Sequence, residues 1–96
     1  MSASASTAVD DERIRVTTWT FERAGDATGW HVHEFDYVIV PVTGGSFAVT
    51  GPGGERREMT QEAGAPYIGS AGTEHDVVFA GEGPASFVEI ELKRSA

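Results

Sequence analysis

TGWHVHEFDYVIVPVTGG, residues 28–45, is the stretch of sequence that decides the fold. His31 and His33 lie two residues apart, and apolar and polar side chains alternate from there onward. Side chains at positions i and i+2 point to the same face of a β-strand, so this alternation predicts one strand over residues 30–42 with both imidazoles on one face. Pro41 suits the end of that strand or a sheet edge.

The rest of the sequence predicts short strands separated by glycine-containing turns. Alternation and turn signals place them at residues 13–21, 46–50, 55–60, 66–69, 74–80 and 85–93. No segment of ten or more residues has the apolar spacing of a helix. Seven to nine short strands with frequent turns are typical of an all-β sandwich or barrel.

The chain of 96 residues has room for a single domain with a thin core. Residues 1–12 are rich in serine, alanine and acidic side chains, so we expect a flexible tail there, followed by one domain over residues 13–96. Because the chain has no cysteine, disulfides cannot brace this core. We therefore expect a metal ion or a second copy of the chain to add stability, and a homodimer is the expected assembly.

The composition argues against several classes of partner. Fifteen acidic and seven basic residues give a net charge of −8, which repels nucleic acids and anionic membrane surfaces. The longest apolar stretch, residues 37–42, is far shorter than the roughly 20 residues that cross a bilayer. Residues 1–12 lack an apolar leader segment, so we expect a cytoplasmic protein that acts on a small molecule.

The third histidine, His75, lies on another predicted strand, where Val77 and Phe79 follow it on the same face. The α-carbons of His31 and His33 are roughly 6–7 Å apart in a strand, close enough for both rings to reach one ion. If His75 faces the same apolar interior, the three imidazoles can bind one divalent metal ion.

The residues around these histidines resemble the two motifs of the cupin family. The first motif, Gly-x5-His-x-His-x3–4-Glu-x6-Gly, is matched by Gly25, His31, His33 and Gly44, with Tyr37 in place of the glutamate. The second motif, Gly-x5-Pro-x-Gly-x2-His-x3-Asn, is matched by Gly64, Gly72 and His75, with Ser70 and Phe79 in place of proline and asparagine. The resemblance implies a single-domain cupin, a jelly-roll-like β-barrel, similar to small bacterial cupins that include β-alanine degradation proteins.

Three-histidine cupins of this pattern include ferrous dioxygenases and zinc-containing cyclases. The resemblance thus implies one divalent ion on His31, His33 and His75, with Fe²⁺ expected first and Ni²⁺, Zn²⁺, Mn²⁺ or Cu²⁺ as alternatives. Neutral ligands leave the full 2+ charge on the ion, which favours anionic, chelating substrates. We expect a dioxygenase or a metal-assisted cyclase, isomerase or lyase. The alternative is a non-catalytic module that binds a metal ion or a metabolite.

Tyr37 replaces the acidic ligand of the motif, and two roles stay open for it. Its hydroxyl can act as a catalytic group that moves protons next to the ion, or its ring can simply fill the barrel. Residues on the same faces as the histidines predict an apolar substrate cavity. Its expected walls are Phe35, Ile39, Val77 and Phe79, and further candidates are Phe47, Met59 and Tyr67.

Charged residues elsewhere are predicted to lie outside the site. Glu89 and Glu91 alternate with apolar residues on the last strand, which is typical of a solvated or dimer-facing edge. An inward-facing Glu89 would instead replace the missing carboxylate, and the sequence leaves this open. Arg56 and Arg57 fall on a predicted exposed hairpin, and the other arginines fall near strand ends: Arg13, Arg15, Arg23 and Arg94. No arginine is therefore an obvious candidate to bind a carboxylate, which disfavours substrates that resemble cysteine.

Overall fold

The computed structural model describes residues 2–93, and this part of the chain folds into nine strands without any helix. The strands are β1 (Ser4–Asp10), β2 (Ile14–Phe21), β3 (His31–Val32), β4 (Asp36–Pro41), β5 (Gly45–Thr50), β6 (Arg56–Gln61), β7 (Tyr67–Gly69), β8 (Glu74–Phe79) and β9 (Ala85–Leu92). They form two antiparallel sheets, ordered β1-β2-β9-β4-β7 and β3-β8-β5-β6. The all-β prediction is confirmed. The described residues include no helix with the length and hydropathy to span a bilayer.

Aromatic rings fill the space between the two sheets. Phe21 of β2 packs edge-on against Phe47 of β5, with ring centroids 5.2 Å apart. Phe79 of β8 and Phe87 of β9 pack on the same Phe21 ring. Each sheet therefore contributes its inward-facing residues to one shared core, as expected for two packed sheets.

The predicted strand over residues 30–42 is two strands that belong to different sheets. β3 pairs with β8, whereas β4 pairs with β7 and β9, so the chain crosses from one sheet to the other at residues 33–35. Buried His33 and Tyr37 still alternate with exposed Glu34 and Asp36 through this crossing. Because the alternation continues across the bend, the pattern alone does not reveal the break.

The N-terminal segment differs from the expected flexible tail. Ser4–Asp10 form β1, which pairs with β2 at the edge of the five-stranded sheet. All seven residues of β1 are exposed, and the hydroxyls of Thr7 and Thr17 are 3.1 Å apart across the pair. Polar composition correctly indicates that this segment buries little, but it does not detect an edge strand held by main-chain hydrogen bonds. Met1 and residues 94–96 lie outside the described part of the chain.

Candidate metal centre

The imidazole rings of His31, His33 and His75 converge on one point. His31 and His75 are cross-strand partners in the β3–β8 pair, and the main-chain N–H of His33 donates to the Thr73 carbonyl at 2.8 Å. His33 Nε2 lies 3.2 Å from His31 Nε2 and 3.1 Å from His75 Nε2. The short β3–β8 pair and the bend after it thus bring together the three residues that the sequence singles out.

The spacing of these nitrogen atoms fits a divalent ion. An ion about 2.0–2.1 Å from each nitrogen separates neighbouring nitrogens by about 3.0 Å at octahedral angles and about 3.4 Å at tetrahedral angles. The observed distances of 3.2 and 3.1 Å fall within this range. Unprotonated ring nitrogens that face each other at this distance repel through their lone pairs, which a shared cation relieves.

Contacts behind the rings leave the Nε2 atoms free to bind metal. His31 Nδ1 is 2.9 Å from the Gly29 carbonyl oxygen, and His33 Nδ1 is 3.2 Å from Glu89 Oε2. Since both oxygens are acceptors, Nδ1 carries the proton in each ring and Nε2 keeps its lone pair. Burial, with a smaller contribution from neighbouring histidine charge, lowers the pKa of His33 and of His75 to about 4. Neutral imidazole is the form that binds a metal ion.

Glu89 faces the interior, so the solvated edge predicted for it is wrong. It is 8% exposed, its Oε1 accepts from Trp19 Nε1–H at 2.9 Å, and its Oε2 contacts His33 Nδ1. Burial raises the pKa of the Glu89 carboxyl. The carboxylate lies at the Nδ1 side of His33, so it supports this ring from behind and does not take the fourth ligand position.

The whole strand β9 is inverted relative to the prediction. Glu91 is also buried, where it forms a two-point ion pair with Arg15 at 2.6 and 2.7 Å. The apolar residues that alternate with the two carboxylates, Val88 and Ile90, are on the opposite, outer face. The expectation that charged residues face outward fails here because β2 supplies inward-facing polar partners, Arg15 and Trp19, for both carboxylates. The residue pattern of β9 alone cannot show these partners.

Tyr37 lies directly against the histidine cluster. Its ring stacks on His33 with centroids 3.8 Å apart and an interplanar angle of 17°. Burial, followed by the charge of Glu89, raises the pKa of the Tyr37 hydroxyl. Its cross-strand partner on β7 is Gly69, where a Cβ atom would collide with Cζ and Oη of the tyrosine. Gly69 therefore provides the space that the Tyr37 ring occupies.

A cavity of about 360 Å³ is lined by the three histidines and Tyr37. Candidate wall residues that do line it are Ile39, Val77, Met59 and Tyr67. Phe35 and Phe79 do not, which corrects the predicted cavity. Phe79 is 2% exposed and packs in the core between the sheets, as does Phe47, while Phe35 lies in the bend where the chain changes sheets. Phe35 keeps its place in the alternation, but it lies between β3 and β4 and is only partly buried.

Arg57 is exposed, as predicted for this hairpin, but it also lines the cavity. It shares one face of β6 with Met59 and Gln61, which line the same cavity. Period-two spacing groups these three residues in the sequence. It does not say which face of the hairpin turns inward, and that is why the sequence misses Arg57 and Gln61. Because Arg57 is present at the cavity, substrates that carry a carboxylate are no longer disfavoured.

Comparison with known proteins assigns the family. The chain is 41% identical over 85 residues to the β-alanine degradation protein BauB of Pseudomonas aeruginosa, and the match covers 88% of this chain and 87% of that relative. This chain is a cupin. The predicted membership in the cupin family is thus confirmed, although a scan against models of protein families finds no match.

Solved cupin structures share the fold. The crystal structure of a cupin domain from Bordetella pertussis is 38% identical, has a TM-score of 0.90, and aligns over 97% of this chain and 95% of that one. A cupin family protein with a double-stranded β-helix fold from Methanocaldococcus jannaschii has a TM-score of 0.76 over 95% of this chain and 80% of that one. At 11% identity, the second likeness shows the fold alone.

Proposed function

We propose that this cupin binds one divalent metal ion through His31, His33 and His75 and is a metal-dependent enzyme that acts on a small organic molecule. The observation that carries this proposal is the convergence of three Nε2 atoms, 3.1–3.2 Å between neighbours, on the wall of a cavity. Within a cupin, such a histidine group supports a divalent ion as the cofactor. We propose Fe²⁺ for an oxygenase, and Zn²⁺, Ni²⁺, Mn²⁺ or Cu²⁺ as the alternatives.

When bound, the ion supplies Lewis-acid activation and a template for the substrate. The chain's own residues orient and protect the reactants. Glu89 holds the His33 ring, and Ile39 and Val77 limit water in the cavity. Tyr37 is the proposed proton-handling residue because it lines the cavity and its hydroxyl, whose pKa is raised, is a proton donor at neutral pH.

The proposed reaction class is a dioxygenase or a metal-assisted cyclase, isomerase or lyase. The name of the Pseudomonas relative connects that protein with β-alanine degradation and does not specify a reaction. The open metal site supports all of these classes, because three imidazole ligands leave positions for a substrate.

One observation favours a second candidate, a non-catalytic module that binds a metal ion or metabolite. Among the described residues that line the cavity, Glu89 is the one carboxylate, and both of its oxygens contact His33 or Trp19. A free general base is therefore missing, and proton transfer depends on Tyr37.

Metal analysis tests the first part of the proposal. Protein purified without chelator and loaded with each candidate ion should hold about one equivalent of metal, and His75→Ala should lose it. Less than about 0.1 equivalent in the loaded wild type would overturn metal binding. The loss in His75→Ala is meaningful only if the variant keeps its far-ultraviolet circular dichroism.

Turnover assays test the second part. Oxygen uptake with diketones, phenolics and thiols identifies an oxygenase, and product analysis under nitrogen identifies non-redox chemistry. Tyr37→Phe should keep its metal while turnover falls by about 10²–10⁴-fold. Unchanged turnover in Tyr37→Phe would show that the Tyr37 ring only packs in the barrel and does not transfer protons. Stoichiometric metal with no turnover in either assay would favour the binding module.

A further inference from the structure

Arg57 is an exposed arginine at the edge of the cavity. It is the one lysine or arginine among the described residues that line the cavity. Within residues 2–93 its side chain takes part in none of the ion pairs. The same holds for Arg13, Arg23 and Arg56, but none of these three lines the cavity. In a chain with a net charge of −8, an arginine left unpaired beside a cavity is available to bind an anion.

The guanidinium shares its cavity with the histidine cluster. Arg57, His75 and Tyr37 all line this cavity. An anion that Arg57 binds there would lie beside that cluster.

Gln61 gives an independent indication of a ligand. Its side chain is 4% exposed and lines the same cavity. The amide Nε2 donates to Tyr67 Oη at 2.8 Å, but Oε1 is buried and has no hydrogen-bond partner among the described residues. A buried acceptor without a donor is costly, so most such groups in folded proteins are paired. A ligand with a donor group would satisfy it.

We propose that the cavity binds a small organic acid whose carboxylate pairs with the Arg57 guanidinium and whose hydroxyl or ammonium group donates to Gln61 Oε1. Met59 lies between these two residues on the same face of β6 and would contact the aliphatic part of the acid. This inference rests on the proposed function, because it names the substrate class of the same site.

Charge and size both favour a monocarboxylate. One guanidinium matches the two oxygens of one carboxylate, and the negative charge of Glu89 in the same cavity opposes a second anionic group. The cavity of about 360 Å³ is at the small end of the range for small-molecule sites, about 300–1,000 Å³. The ligand is therefore a short acid and not a dicarboxylate or a phosphate ester.

Binding titrations with defined probes test this assignment. Propionate, 3-hydroxypropionate and neutral propionamide are titrated into ¹⁵N-labelled full-length protein, once after chelator treatment and once with Zn²⁺. The metal-free titration separates binding by Arg57 from direct coordination of the carboxylate. We expect propionate to bind about tenfold more tightly than propionamide in both forms. The hydroxy acid should bind about fivefold more tightly than propionate.

Three variants and a matched control assign the contacts. Arg57→Gln should abolish the preference for the acid over the amide, and Arg57→Lys should retain part of it because the charge remains without the planar fork. Arg56→Gln removes the same charge from the neighbouring residue on the other face of β6 and should change nothing. Gln61→Met should abolish the advantage of the hydroxy acid. Thermal unfolding of each variant checks that it is folded.

The outcomes separate this inference from the proposed function. Equal binding of acid and amide to the wild type, no binding of any probe, or unchanged acid binding by Arg57→Gln would each overturn it. If those results accompany stoichiometric metal, the proposed function is unaffected. If instead the metal fails to load but acids still bind through Arg57, the inference stands and the metal-dependent function is wrong.

Discussion

Four neighbours surround the ring of His33. Tyr37 stacks on its face, Glu89 contacts Nδ1, and the Nε2 atoms of the other two histidines lie within 3.2 Å of its own Nε2. A ligand whose ring is already oriented loses little rotational freedom when it binds an ion. His33, which is 7% exposed, is the most buried of the three proposed ligands.

Replacing Glu89 by glutamine should weaken metal binding. Trp19 Nε1–H donates to one carboxylate oxygen and His33 Nδ1 lies 3.2 Å from the other, whereas glutamine offers only one acceptor oxygen for these two groups. We expect Glu89→Gln to lower metal affinity by about 10–100-fold, measured by competition with a chromogenic chelator. Glu91 lies two residues away on the same strand face and pairs with Arg15. The variant Glu91→Gln should therefore bind metal normally. Equal affinities for the two variants would contradict a role for Glu89 behind His33.

His33 and His75 should stay neutral in mildly acidic solution. Burial lowers the pKa of each to about 4, below 6.5 for a free imidazole, so an unfolded chain binds more protons than the folded one between these values. These two residues therefore destabilise the metal-free fold as the pH falls from 6.5 to 4. Glu89 acts in the opposite sense because its pKa is raised. Long-range ¹H–¹⁵N spectra of metal-free protein would detect both neutral rings at pH 5.5, and imidazolium signals there would refute the assignment.

The strand that carries His31 is only two residues long. β3 pairs with β8 through His31–His75 and Val32–Glu74, and the amide of Gly72 donates to the His33 carbonyl at 2.7 Å. An ion on the three histidines would connect β3, the bend after it and β8. This end of the four-stranded sheet thus depends more on the ion than the rest of the barrel does.

Metal binding should slow hydrogen exchange locally. We expect the amides of His33 and Gly72 to exchange at least about tenfold more slowly in the Zn²⁺-loaded protein, because opening of this segment would first release the ion. Amides of β1 and β2, at the edge of the other sheet, serve as the internal control and should not change. Uniform slowing over all strands would indicate global stabilisation instead.

The accuracy of the sequence predictions differs between elements for physical reasons. The bounds predicted for β5 to β9 agree with the structure within one residue, because glycine and proline turns delimit them. β1 was missed, since main-chain pairing leaves no signal in a polar segment. The crossing at residues 33–35 was missed as well, because burial alternates straight through it.

At the site, the sequence predicts some residues and misses others. The cupin motifs predict the three histidines because the family pattern fixes their spacing. Single-strand parity correctly places Ile39 and Val77 at the cavity. The positions of Glu89 and Arg57 at the cavity depend on which face of β9 and of β6 lines it. That choice is made by contacts between strands distant in the sequence.

The outer face of the five-stranded sheet is apolar at its centre. Ile90 of β9 pairs with Val16 of β2 on one side and with Val38 of β4 on the other, and Val88 pairs with Val40. These side chains are only partly buried in the single chain. We propose that a second copy of the chain covers this face, because an uncharged centre lets two chains of net charge −8 meet without like charges in contact.

Light scattering after size exclusion tests this dimer. The wild type should have twice the 10.2 kDa mass of one chain, and Ile90→Lys should have the mass of a monomer. Val32→Lys introduces the same charge at an exposed apolar residue of the other sheet and should remain dimeric. A monomeric wild type, or a dimer that survives Ile90→Lys, would argue against this interface.

The space that Gly69 leaves for Tyr37 predicts correlated evolution. A Cβ atom at position 69 collides with the tyrosine ring, so relatives with tyrosine at position 37 should have glycine at position 69. Relatives that keep the acidic residue of the cupin motif at position 37 have a shorter side chain there, and position 69 should then tolerate larger residues. An alignment of cupins similar to this chain would show the two positions varying together, although they belong to different strands. Loss of the carboxylate ligand and gain of this glycine would then be one evolutionary step.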